Sequence, residues 1–205
     1  LGTVRVLKIR FTVLLIRTHT KANTKTTPKL LEYLIKHKHW SPFEMASACM
    51  EITTTRDIAR QLLRHRSFAF QEFSQRYADI RDLDNNFVVR EARLQDPKNR
   101  QNSVDNEDAA LEDEWANKQL AIIEMVKMAY DWAIENGIAK EQARAILPEG
   151  NTVSRLYVNG TIRSWIHYIE LRSANGTQKE HMDLAKATAE AISKIYPNIS
   201  NFIQE

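Results

Sequence analysis

Residues 64–77 read Arg64-His65-Arg66-Ser67-Phe68-Ala69-Phe70-Gln71-Glu72-Phe73-Ser74-Gln75-Arg76-Tyr77, and a change of periodicity across this stretch decides the fold class. Before it, Thr55 opens a segment in which Ile58, Ala59, Leu62 and Leu63 recur at helical spacing, so a helix is expected to end near Arg64. After it, residues 67–77 read as extended chain. Side chains two apart in extended chain share a face, which would align Glu72, Ser74 and Arg76, with Phe68, Phe70 and Phe73 as apolar walls. A guanidinium beside a hydroxyl suits phosphate oxygens. Arg64, His65 and Arg66 cannot share a target while helical, because consecutive helical side chains diverge by about 100°. At a helix end they can fan around one. An arginine-rich surface paired with carboxylates has the same composition.

Outward from this stretch, helix and strand patterns succeed one another irregularly. Residues 4–16 read as a strand and His19–Thr27 as a polar loop. Thr27-Pro28 has the form of an N-cap followed by proline at the first helical position, continued by Leu30, Leu31, Leu34 and Ile35. Ser41-Pro42-Phe43-Glu44 has capping-box form, and residues 45–55 read as a strand. Residues 81–106 are polar and irregular, a long loop of the kind that is functional or mobile. A long helix is expected over 106–136, with Leu111, Trp115, Ile122, Met125, Ala129 and Trp132 among its apolar positions and Gly137 at its end. A short helix over 140–146, a strand over 151–158 and helices over 161–173 and 178–195 follow. The expected class is α+β: a single domain over 1–205 with a mixed or antiparallel sheet flanked by helices, one of them long.

At 205 residues and 43% hydrophobic composition the chain is long and apolar enough for a core. Its formal net charge of +3 suits an anionic ligand and is too small to argue for nucleic acid. The apolar run Phe11–Ile16 is too short for a membrane span. Cys49 is the one cysteine, which excludes an intrachain disulfide and a four-cysteine zinc site and fits a reducing compartment. It is expected on a buried strand without a neighbouring base, as inert packing. His37, His39 and Glu44 invite a metal reading, but no further cluster has metal-site spacing, and no metal is expected. The five glycines form no G-x-G-x-x-G fingerprint, so a dinucleotide would not be held in Rossmann fashion.

The order Arg64-His65-Arg66, then seven residues, Ser74, and Arg76 two further on resembles the signature of the flavin-dependent thymidylate synthases. The resemblance extends over roughly 28–195. His37-Lys38-His39-Trp40-Ser41-Pro42-Phe43-Glu44 is similar to the segment ahead of that signature, and Ala143-Arg144-Ala145-Ile146-Leu147-Pro148 to an Ala-Arg-x-x-Leu-Pro stretch. Arg163, His167 and Arg172 fit the later helix. The first 26 residues are atypical: Leu15-Ile16-Arg17-Thr18 stands where the family carries an Ala-Arg-Val-Ser-like stretch.

The resemblance implies reductive methylation of dUMP to dTMP. Methylenetetrahydrofolate would give the carbon and FADH2, recharged by NADPH, the hydride. By motif, Gln61, Leu62, Leu63, Arg64, Glu72, Phe73, Ser74, Gln75, Arg76, Arg144 and Arg172 would hold the nucleotide. His39, Ser41, Arg64, His65, Arg66, Glu72, Thr161, Ile162, Arg163 and His167 would meet FAD. Arg172 would be the catalytic group, stabilising negative charge on the uracil ring so that C5 becomes nucleophilic. Arg163 and His167, four apart, share a helix face, while Arg172 lies about 900° of rotation beyond Arg163 and so nearly opposite. His167 hydrogen-bonded locally within its helix remains an equal alternative. The resemblance further implies a cytoplasmic homotetramer with shared sites, and no nucleic-acid or membrane partner.

Overall fold

The computed structural model describes residues 11–15 and 27–204. The elements are strand β1 (Phe11–Leu15), helix α1 (Thr27–Lys36), strand β2 (Ala46–Thr55), helix α2 (Arg56–Leu62), strands β3 (Ala69–Glu72), β4 (Leu94–Gln95) and β5 (Ser103–Val104), helices α3 (Ala109–Glu135) and α4 (Lys140–Ala143), strand β6 (Val153–Thr161), and helices α5 (Ile162–Arg172) and α6 (Lys179–Ser193). Four strands form one sheet in the order β1-β2-β6-β3, and β4 and β5 form a two-stranded one. β1 runs antiparallel to β2, with Phe11 opposite Met50 and Leu15 opposite Ala46. The class is α+β, as expected. Of the strand expected over 4–16, only 11–15 lies within the described residues, and the loop ahead of Thr27 lies outside them.

Contacts divide the chain into two compact units. The first is built from Thr53–Arg64 and Gln71–Leu156, the second from the described residues up to Ile52, from His65–Phe70 and from Tyr157 onward. In the first unit α2 buries Ile58, Ala59 and Leu62, leaving Leu63 half-buried. Ile80, Tyr130, Ala133, Ala143 and Leu147 pack as a second cluster beneath α3.

The long helix α3 is present, and most of the apolar positions named along it face outward. Gln119, Ile123, Tyr130 and Ala133 are buried, while Leu111, Trp115, Ile122, Met125 and Trp132 are exposed. The helix carries apolar residues on two sides, and periodicity alone does not say which side meets its own chain. Gln119 is buried because its amide pairs with main chain: it accepts from Arg90 N and donates to Arg90 O, each at 2.9 Å.

Residues 81–106, expected as a long loop, are pinned. Arg90 Nη2 donates to Asp57 Oδ1 and to Thr55 Oγ1, both at 2.7 Å, and Nε donates to Gly150 O at 3.0 Å. The β4–β5 hairpin closes the outer part of this segment. In the second unit, Trp165 of α5 is fully buried and its indole N–H donates to Ala48 O at 3.1 Å, tying α5 to β2. Gly160, at the end of β6, leaves room for the Phe68 ring.

Three local expectations are corrected. Ser41-Pro42-Phe43-Glu44 is a 3-10 helix with Trp40 before it and no side-chain cap, because Ser41 lies inside the turn and Glu44 is drawn to Arg163. The extended reading of 67–77 holds only over Ala69–Glu72. Beyond Phe73 the chain turns: Tyr77 N and Ala78 N both donate to Ser74 O, at 3.1 and 2.9 Å, so Glu72, Ser74 and Arg76 do not share a strand face. Cys49 lies on a strand but is half-buried rather than buried, opposite Thr12 of edge strand β1.

Candidate functional site

The residues singled out in the sequence divide between the two units. In the first, Gln61, Leu62, Leu63 and Arg64 end α2, and Glu72 closes β3. Phe73, Ser74, Gln75 and Arg76 form the turn that follows, and Arg144 begins the 3-10 turn after α4. In the second, His39 and Ser41 flank Trp40. His65 and Arg66 precede β3, while Thr161, Ile162, Arg163, His167 and Arg172 run along α5.

Within the first unit, Glu72 is held from two sides: Ser154 Oγ donates to its Oε1 at 2.7 Å and Arg56 Nη1 lies 3.5 Å from the same atom. Neither Arg56 nor Ser154 stands out in the sequence. Ser154 reaches Glu72 because β6 lies beside β3 in the sheet, and Arg56 reaches it from the start of α2; no local motif signals either. The turn places Arg76 against Glu141 of α4 at 3.3 Å, both half-exposed. Such a pair in water is worth about 0–1 kcal/mol, so a phosphate can displace it cheaply. Glu141 stands three residues before Arg144, which brings Arg76 to the short helical segment that carries Arg144, a second arginine expected at the nucleotide. Leu62 is fully buried and meets a ligand at most through its main chain. Arg64 is exposed.

Within the second unit, Arg172 Nε donates to His65 Nε2 at 3.0 Å. The two residues are 107 apart in sequence, and helix α5 delivers one to the other. Three rings surround the imidazole: Tyr168 with centroids 5.1 Å apart, His181 at 6.2 Å and Phe68 at 6.4 Å, all edge to face. Tyr168 and Arg172 are four apart and so project from one face of α5. Burial, and after it the Arg172 cation, push His65 down to about 4. His181 is driven to about 3 by burial first and by Arg172 and His65 next. Both rings are therefore neutral near pH 7. His181 and Tyr168 are site neighbours that the sequence reading missed. His181 lies in a helix with no motif around it, and its only signal was a histidine at a buried helical position.

The opposite face of α5 behaves as the spacing implied. Arg163 forms an ion pair with Glu44, and His167 lies edge-on to Trp40 with centroids 4.9 Å apart. Both thus address the 3-10 turn that contains Ser41. Thr161 serves as N-cap of α5, its hydroxyl accepting from Ser164 N at 3.2 Å. Ile162 is buried. His39 is exposed, its ring 6.2 Å from Tyr33 and 6.1 Å from His37. Arg66 is exposed. Among the described residues no three His, Cys, Asp or Glu side chains are grouped to hold a metal.

Comparison with known proteins supplies the remaining findings. The family model described as thymidylate synthase complementing protein matches residues 8–198. A probable flavin-dependent thymidylate synthase from Paramecium bursaria Chlorella virus 1 is 51% identical over 178 residues, covering 87% of this chain and 81% of that protein. The flavin-dependent thymidylate synthase of Synechocystis sp. is 49% identical over 173 residues, covering 84% and 78%. Among solved structures, a UMP/dUMP methylase, PolB from Streptomyces cacaoi bound with 5-Br UMP, aligns with a TM-score of 0.70 over 96% of each chain. Its 24% identity makes that a likeness of fold.

Proposed function

The chain belongs to the flavin-dependent thymidylate synthases, and from that premise we propose that it methylates dUMP to dTMP with methylenetetrahydrofolate as carbon donor and FAD, recharged by NADPH, as hydride donor. That it is a flavin-dependent thymidylate synthase follows from the family; the particular co-substrates, the use of FAD and the residue roles are our reading. The observation that carries the roles is the meeting of Arg172 with His65 at 3.0 Å. It joins the arginine expected to activate uracil to the centre of the Arg-His-Arg signature.

In this reading Arg172 gives its Nε–H to neutral His65 and keeps the rest of its guanidinium for the uracil ring. There a fixed cation stabilises the negative charge that makes C5 a nucleophile. Gln61, Ser74, Gln75, Arg76 and Arg144 hold the nucleotide, with Arg76 exchanging Glu141 for phosphate. Glu72 lies between Ser154 and Arg56 and orders the edge of the turn. The donor set of the second unit fits a flavin nucleotide. Ser41, Arg66, Arg163 and His167 offer hydroxyl and cationic donors to phosphate oxygens, and none of them is buried. The flavin, when bound, supplies the reducing equivalents of the methylation. The family match runs across both units, which supports treating them as one catalytic domain.

We further assign the protein to a homotetramer in the cytoplasm. Leu111, Trp115, Ile122, Met125, Met128 and Trp132 leave α3 with an exposed apolar side of the kind that subunit contacts cover. Among the described residues no helix is long and apolar enough to cross a membrane.

The test is spectroscopic. Purified protein should be yellow, or become so with FAD. Its flavin band should bleach under anaerobic NADPH and return when dUMP and methylenetetrahydrofolate are added, with dTMP formed. A folded protein that takes up no FAD would refute the reading.

A further inference from the structure

In the first unit most arginines have a carboxylate partner. Arg56 pairs with Glu72, Arg60 with Glu149, Arg76 with Glu141, Arg81 with Asp79 and Asp131, Arg90 with Asp57, and Arg93 with Asp105. Arg155 has none among the described residues. Its Nε is closed off from solvent and has no hydrogen-bond partner among the described residues. Glu72, which precedes its main-chain partner Phe73, is already engaged by Ser154 and Arg56.

The main chain fixes where Arg155 stands. Phe73 N donates to Arg155 O at 2.8 Å, so the residue sits beside the start of the turn that carries Ser74, Gln75 and Arg76. Gln75 is only 3% exposed, and its Nε2 is also buried without a partner among the described residues. Both orphan groups are donors. A buried donor left unmade costs about 1–3 kcal/mol, more when charged. Two of them beside one turn, one neutral and the other cationic without a paired carboxylate, mark a place that lacks an anionic, oxygen-rich acceptor.

We propose that Arg155 is a further nucleotide-binding residue, which with Gln75 takes the phosphate of the bound deoxyuridylate. The proposal rests on the reading of this turn as the nucleotide site. A guanidinium matches phosphate oxygens in geometry and charge, and Gln75 adds a neutral donor. A flavin diphosphate offers the same oxygens. The nucleotide is favoured because Arg155 belongs to the unit that holds Gln75, Arg76 and Arg144.

The experiment uses the full-length, flavin-loaded protein and its Arg155→Met and Arg155→Lys variants. Calorimetry measures dUMP binding, flavin fluorescence measures FAD binding, and 31P spectra record the phosphate of bound dUMP. Arg155→Met should weaken dUMP about tenfold or more, as loss of a charged hydrogen bond does, and leave FAD affinity unchanged. Arg155→Lys should recover part of the affinity and shift the bound 31P resonance. It serves alone if the methionine variant does not fold. Unaltered dUMP affinity, an unmoved 31P resonance in Arg155→Lys, or a loss confined to FAD would each overturn the proposal. A wild-type protein that binds FAD but not dUMP would instead overturn the reading of the turn as the nucleotide site.

Discussion

Arg172 Nε donates to His65 Nε2, which makes that nitrogen the acceptor and leaves the ring proton on Nδ1. The pair is polarised in one direction only: a protonated His65 could not accept from Arg172. Burial first and the adjacent cation second hold His65 down to about 4, so the arrangement is stable at neutral pH.

A pH dependence follows. His65 and His181 both have folded values below their ordinary 6.5, so the unfolded chain binds more protons in the acid range. Their contribution to stability is complete above about pH 6.5 and is lost as pH falls toward 4 for His65 and 3 for His181. Imidazole 15N spectra should find His65 as the neutral Nδ1–H tautomer at pH 7 with a midpoint near 4. A midpoint near 6.5 would contradict the geometry. Arg172→Ala should raise the midpoint only part of the way, since burial is the larger cause.

Arg172→Ala should also separate the two halves of the reaction. Loss of one preorganised charge-stabilising donor costs about 100- to 1000-fold in rate. Thymidylate formation should fall by that much while NADPH still bleaches the flavin, because Arg163, His167 and Ser41 lie on the other side of α5. Stopped-flow reduction beside dTMP assays decides it, and undiminished dTMP formation would remove Arg172 from its role.

Gly160→Ala should destabilise the fold with no change in charge. A Cβ there would lie 2.2 Å from Phe68 Cδ1 and 2.5 Å from Cε1. The Phe68 ring is hemmed in by Trp165 at 4.4 Å and Tyr168 at 5.9 Å between centroids, so it cannot swing aside freely. Overpacking of this kind costs about 1–3 kcal/mol. Urea unfolding should register that loss, and adding Phe68→Leu should recover part of it.

The exposed side of α3 predicts an assembly defect. Met125→Glu with Trp132→Glu puts two carboxylates on a surface where both residues are more than half exposed, so the folded subunit should tolerate them. Sedimentation should show the proposed tetramer replaced by smaller species. An intact tetramer would place the subunit contact elsewhere.

Local pattern carried much of this protein. The apolar spacing of Ile58, Ala59 and Leu62 marked α2. Thr161 marked the start of α5, and the order Arg64, His65, Arg66, Ser74, Arg76 marked the family. Each depends on residues within a few turns of one another, where backbone geometry ties spacing to direction. What tertiary structure alone decided was every relation between distant residues. It turned the chain after Phe73 and took Ser74 and Arg76 off the strand face. It set Glu72 against Ser154 and Arg56, brought Arg172 to His65, and left Arg155 without a carboxylate among the described residues. It also chose which apolar side of α3 to bury. The physical reason is common to all of these. Periodicity states what a segment offers on each face, while packing and hydrogen-bond pairing between segments far apart in sequence settle which offer is taken.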